Sequence, residues 1–266
     1  MQLPPGIVVA STATKLVAGD RGKVLVGASH GGVYSGYLAA KIGCRGVILN
    51  DAGVGKDRAG LGSLDYLARL GLPAATVSHM SARIGDGADM AANGVISHVN
   101  AAAAALGCAA GQAAVDCAVR MTKHPSPAAE APHYPESRFL FRDGPRQVWG
   151  LDSASLVRPE HDGHIVVTAS HGALLDGKPD GAIQAKAYAA LFNDAGVGKD
   201  RAGISRLPVL EAQGIAGACV DAMTARIGDA RSMWETGVIS HLNDTARRLG
   251  GAVGQSVQAF VAALLK

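Results

Sequence analysis

Short apolar runs alternate with longer stretches of helical spacing along the whole chain, and glycine or small polar residues bound each run. Lys23-Val24-Leu25-Val26-Gly27-Ala28 is compact, rich in β-branched residues and stopped by glycine, which predicts a buried strand ending at Ser29-His30. Val33 to Ile42 has the spacing of a helix with Gly43 as its stop, and Gly46-Val47-Ile48-Leu49 reads as a second strand. A helix is predicted over Ser63 to Leu70, with Ser63 as its N-cap and Gly71 beyond it. Ala74 to Val77 is a third strand, ending at Ser78-His79. A short helix to Asn93, a very short strand at Val95-Ile96 running into Ser97-His98, an Ala-rich helix to Leu106 and a helix over Ala113 to Met121 complete the first half. Such alternation predicts parallel β-α-β crossovers, because only an intervening helix returns the chain to start a parallel neighbour.

The pattern then restarts. Lys123 to Arg146 carries Pro125, Pro127, Pro132, Pro135 and Pro145 and reads as a linker. Ile165 to Ala169 leads into Ser170-His171-Gly172, the counterpart of Ser29-His30-Gly31. The stretch Asn50 to Gly60, NDAGVGKDRAG, recurs residue for residue at Asn193 to Gly203, 143 positions later (193 − 50). Ala82 to Asp86 matches Ala225 to Asp229, and Gly94 to His98 matches Gly237 to His241, at the same spacing. The Ser-His-Gly pair is spaced two residues closer, which places an insertion near Leu174 to Gly181. The expected architecture is α/β, with two tandem homologous Rossmann-like repeats with parallel sheets packed as a pseudo-two-fold dimer: residues 1–121, a linker at 122–146, and residues 147–266.

Composition narrows the functional classes. At 266 residues, 48% hydrophobic and 18% charged, the chain can bury a proper core. Aromatic residues make up 4%, and the net charge of +3 includes no basic run, so nucleic acid is not an expected partner. No apolar stretch approaches the roughly 18–20 residues of a membrane span, and the start of the chain lacks a basic leader region, which reads as a cytoplasmic protein with no membrane partner. Cys44, Cys108, Cys117 and Cys219 form no C-x-x-C pair and read as small buried thiols. No metal or cofactor is implied; the expected partner is a small-molecule substrate, with self-association left open.

In a parallel α/β sheet, ligands bind beyond the carboxyl ends of the strands. The predicted strands bring Ser29, His30, Asp51 and His79 there in the first copy and His171, Asp194 and Asp221 in the second, the candidate catalytic set. Gly53, Gly55, Lys56, Arg83 and His98, with Lys199, Arg226 and His241, are the candidate substrate-binding set, since glycines expose backbone amides and the cations suit an anion. The loop is not a nucleotide-phosphate loop: Asp57 stands where a hydroxyl residue must follow the lysine. Ser29 as nucleophile, with a histidine base and Asp51 to orient it, predicts a hydrolase; His/Asp proton transfer without a covalent step predicts an isomerase or lyase; a binding module needs only the cations. The copies differ at one point of consequence, because Ser78-His79 becomes Asp221-Ala222.

Pro73 to Arg83, Gly27 to Gly32 after the first strand and Gly53-Val54-Gly55 after the second follow the order of motifs in the B-type ribose-5-phosphate isomerases, which this chain locally resembles. The resemblance implies a Rossmann-like fold and proton transfer on a small sugar phosphate, with Asn50-Asp51 standing where that family has its cysteine base.

Overall fold

The structure, a computed structural model, describes residues 4–127 and 131–266. Met1–Val54, Arg58–Pro135 and Gly198–Asp200 form one compact unit, and Gly55–Asp57, Glu136–Val197 and Arg201–Lys266 form the other.

In the first unit, β1 (Ile7–Ala10), β2 (Val24–His30), β3 (Gly46–Asn50) and β4 (Ala74–Val77) are parallel neighbours in that order, and β5 (Ile96–Val99) runs antiparallel beside β4. Five helices accompany them among the described residues: α1 (Val33–Ile42), α2 (Gly62–Arg69), α3 (Gly87–Asn93), α4 (Ala101–Ala105) and α5 (Ala114–Met121). Alternate strand residues feed two cores. Val24, Val26 and Ile48 pack with Met90, Cys117 and Met121 from α3 and α5, while Leu25, Val47 and Leu49 pack with Tyr37, Leu64 and Leu67 from α1 and α2. Burial on both faces is why these strands read as unbroken apolar runs rather than as alternations, and each such side chain contributes about 1.5–3 kcal/mol.

Caps set the helix starts. Asp86 and Asn100 accept from Asp89 N and Ala103 N at 2.9 and 3.0 Å, opening α3 and α4. Ser63 does not cap α2 as its sequence position suggests; it lies inside the helix, buried where α1 crosses at Gly36.

In the second unit the sheet order is β11-β10-β9-β8-β7-β6. The strands are β6 (Arg138–Arg142), β7 (Val148–Leu151), β8 (Ile165–His171), β9 (Ala189–Asn193), β10 (Ala216–Val220) and β11 (Ile239–Leu242). β7 to β10 are parallel, and both edge strands are antiparallel. The helices here are α6 (Arg206–Ala212), α7 (Ala230–Thr236), α8 (Asp244–Arg248) and α9 (Val257–Leu264).

Both units are therefore α/β with mainly parallel sheets, and four features depart from the sequence reading. Ser97-His98 and Ser240-His241 lie inside antiparallel edge strands, so those sheets are not wholly parallel. The stretch taken as a linker contains β6, whose charged-apolar alternation was obscured by the flanking prolines; Phe139 and Phe141 stack at 5.8 Å, and Phe141 stacks on Trp234 at 5.0 Å. Each sheet runs in chain order without the reversal that makes the ligand crevice of a doubly wound fold. Finally, the second unit has no counterpart of α1: two short 3-10 turns, Leu175–Gly177 and Pro179–Gly181, occupy that part of the chain. Further along the chain, Ile183 to Ala187 and Gln213 to Ile215 line a cavity of about 700 Å³. These segments precede β9 and β10, so the cavity sits at the starts of the strands.

Candidate functional site

The duplicated loop begins where β3 ends, and its identity has a large backbone component. Asn50 is fully buried; its Oδ1 accepts from Ala52 N at 2.9 Å and its Nδ2 donates to Ala82 O at 3.1 Å. Asn193 repeats this with Ala195 N and Ala225 O at 2.9 and 3.1 Å. Ala52, Val54, Asp57 and Arg58 adopt φ between 48° and 63°, as do Ala195, Val197, Asp200 and Arg201 within a few degrees. A β-branched residue in the left-handed region is a strained outlier that persists only where surrounding contacts fix it. A side chain at Gly60 would strike Asp51 O, and one at Gly203 would strike Asp194 O. The amides of Ala52, Gly53 and Val54 are spent on Asn50 and Asp51, so they form no cradle for a phosphate.

Asp51, the next residue after β3, is the centre of the site. Its Oδ1 accepts from Gly53 N at 3.2 Å, from His79 N at 2.9 Å and from His79 Nδ1 at 2.8 Å. The carboxylate is 4% exposed and the His79 side chain 23% exposed. Burial disfavours the charge on Asp51, but the ring and amide of His79, the charge of that ring and the Ser97 hydroxyl outweigh it and hold the carboxyl below its usual range. An ionised carboxylate on Nδ1 favours Nδ1–H, so in the neutral form of the ring the lone pair sits on Nε2. His79 makes no further ring hydrogen bond among the described residues. Ser97, legible from the sequence as part of a strand-end Ser-His pair but outside the catalytic and binding sets, bonds Thr76 Oγ1 at 3.0 Å.

The other candidates lie elsewhere. Ser29 is buried, its Oγ accepting from Ala13 N at 2.9 Å and lying 3.5 Å from Thr12 Oγ1; no hydrogen bond joins it to a histidine or to Asp51. Nδ1 of His30 accepts from Gly32 N at 3.1 Å, and burial pushes this imidazole down to about 4. His171 accepts from Ala173 N at 3.3 Å in the same way. His98 Nδ1 is buried without a partner among the described residues, and His241 Nδ1 lies 3.2 Å from Ser240 Oγ. Most of the proposed anion anchors are internally neutralised. Arg83 pairs with Asp86 and Asp200 at 2.9 Å, Arg226 with Asp229 at 2.8 Å and Asp57 at 2.9 Å, and Lys199 with Asp89 at 2.9 Å. Lys56 bonds Thr236 Oγ1 at 2.9 Å and Thr224 O at 3.3 Å instead of a carboxylate. Gly55 keeps φ +69° close against Ala222 O.

No protein-family model, curated protein or solved structure matches this chain.

The second unit keeps the carboxylate setting without the histidine. Asp194 Oδ1 accepts from Gly196 N and Ala222 N, both at 3.0 Å, and Oδ2 accepts from Ser240 Oγ at 2.8 Å. Ala222 stands where an imidazole would be needed, and Asp221 spends Oδ1 on Met223 N at 2.8 Å. Among the described residues no helix is long and apolar enough to cross a membrane, and no three His, Cys, Asp or Glu side chains gather as metal ligands.

Proposed function

We propose that this chain is a small-molecule enzyme of the isomerase or lyase type that moves a proton with His79, oriented by Asp51, and that the first unit alone is catalytic. The observation that carries this reading is the 2.8 Å contact between Asp51 Oδ1 and His79 Nδ1, made by a buried carboxylate to a partly exposed ring. In the proposed step, Nε2 takes a proton from an acidic C–H or O–H of the substrate, the imidazolium is stabilised by Asp51, and the same nitrogen returns the proton to a neighbouring atom or to the leaving group. The exposed Met80, which follows His79, supplies an apolar lip for the substrate. A hydrolase built on Ser29 has less support, since that hydroxyl is committed to Thr12 and Ala13. The matched loops, caps and carboxylate settings favour descent of the two units from one duplicated ancestor, after which the second lost its base.

The test is a solvent-deuterium screen. The wild-type chain is incubated in D2O with a mixture of small polar metabolites and read by mass spectrometry. A metabolite that gains deuterium with the wild type and not with His79→Gln is the expected result. Equal labelling by both proteins would overturn the proposal.

A further inference from the structure

The loop at Asn193–Gly203 is identical to its twin although the second unit has no histidine for it to serve. Part of the reason lies in the first unit, to which Gly198–Asp200 belongs. Lys199 N donates to His79 O at 2.8 Å. Gly198 has φ +68°, and a Cβ there would come within 2.9 Å of that same oxygen, so the turn carrying His79 rests directly on this backbone. The Lys199 side chain is fixed as well: Nζ lies 2.9 and 3.1 Å from the two oxygens of Asp89, a carboxylate 5% exposed that also accepts from Arg83 N at 2.7 Å. The usual range of the Asp89 carboxyl is lowered despite its burial, by the amide of Arg83, by Lys199 and by Asn93.

The second unit supplies the comparison. Lys56 N donates to Ala222 O at 2.8 Å, the same backbone contact, and Gly55 sits against that oxygen. Ser232 replaces Asp89, however, and Lys56 Nζ turns to Thr236 and Thr224. The partly buried ion pair accompanies the turn that bears a histidine and is missing from the turn that bears an alanine.

We infer that Gly198 and Lys199 are positioning residues for His79: the amide of Lys199 anchors the His79 carbonyl, the Lys199–Asp89 pair locks that amide in place, and the imidazole is thereby held in the one rotamer that meets Asp51. This inference rests on the reading of Asp51–His79 as the proton-transfer pair. A ring freed from that rotamer loses its fixed tautomer, and misplacement of this kind costs on the order of 10²-fold in rate.

The experiment follows the Nδ1–H proton of His79 by NMR in Gly198→Ala, Lys199→Met and, as a control, Gly55→Ala, with the fold checked by circular dichroism. The wild type and Gly55→Ala are expected to show a downfield, slowly exchanging Nδ1–H, and Gly198→Ala and Lys199→Met to lose it while remaining folded. Lys199→Met keeps the stem and the backbone, so it reports even if Gly198→Ala fails to fold. Retention of the wild-type signal in a folded Lys199→Met chain would overturn the inference and leave the Asp51–His79 contact standing. A wild-type chain without this signal would remove the contact and the inference together, whereas a normal signal with unchanged turnover in His79→Gln would sink only the proton-transfer reading.

Discussion

Asp51 is a buried carboxylate that holds the backbone of its turn, and in the proposed reaction it also stabilises the imidazolium. It organises the turn through Gly53 N and His79 N and orients the imidazole through Nδ1. Asp51→Asn retains an acceptor for the amides but not the charge that stabilises an imidazolium, so turnover should fall about 10³-fold with the fold retained, as read by steady-state kinetics and circular dichroism. His30 carries a separate, pH-linked prediction. Its folded value of about 4 lies below the ordinary 6.5, so the unfolded chain takes up the proton first as pH falls. Its contribution to stability is thus complete above pH 6.5 and is lost between there and about 4. His30→Asn, which keeps an acceptor for Gly32 N, should flatten the melting-temperature profile across that window; an unchanged slope would refute the assignment. Asp51 and Asp89, held low, add stability that is lost only in stronger acid, below about pH 4. At this scale the sequence showed the participants and offered Asp51 as the carboxylate that orients a histidine base. The register of β3 and β4 is what brings that carboxylate to His79. Ser29 looked like a nucleophile because its partner, Ala13, lies on an earlier turn that no local motif marks.

The duplicated loop reads as chemistry because it carries Asp, Lys and Arg among glycines, and its geometry shows how much of its identity is backbone. Asn50 pins the loop to the turn before α3, and removing its side chain leaves Ala82 O and Ala52 N without their partners in a sealed core. Asn50→Ala should therefore cost about 2–4 kcal/mol in urea unfolding. Arg58 is exposed at φ 58°, so Arg58→Gly relieves left-handed strain while removing few contacts. It should stabilise by up to about 1 kcal/mol, and a loss of stability would show that the side chain does more than the conformation suggests. The helices and β2, β3 and β4 of the first unit were legible to within a residue or two, as α1 and its Gly43 stop show, whereas β1 was not read as a strand. The antiparallel edges were not, because hydrophobic periodicity carries no strand direction.

For the molecule as a whole, the two units differ at the positions on which the proposed proton transfer depends. The first has Asp51, Ser97 and His79, with Lys199 on Asp89; the second has Asp194 and Ser240 with Ala222 and Ser232, and a cavity at the starts of its strands. The unequal copies were visible in the sequence at His79/Ala222, while β6 and the missing helix were masked by prolines and glycines that read as loop. The central claim is that proton transfer depends on the carboxylate of one unit and not on its twin. The most direct measurement is turnover of Asp51→Asn against Asp194→Asn on the metabolite found by deuterium labelling, both variants being folded. The account predicts a loss of about 10³-fold for Asp51→Asn and less than about tenfold for Asp194→Asn; equal losses, or a larger one for Asp194→Asn, would contradict it.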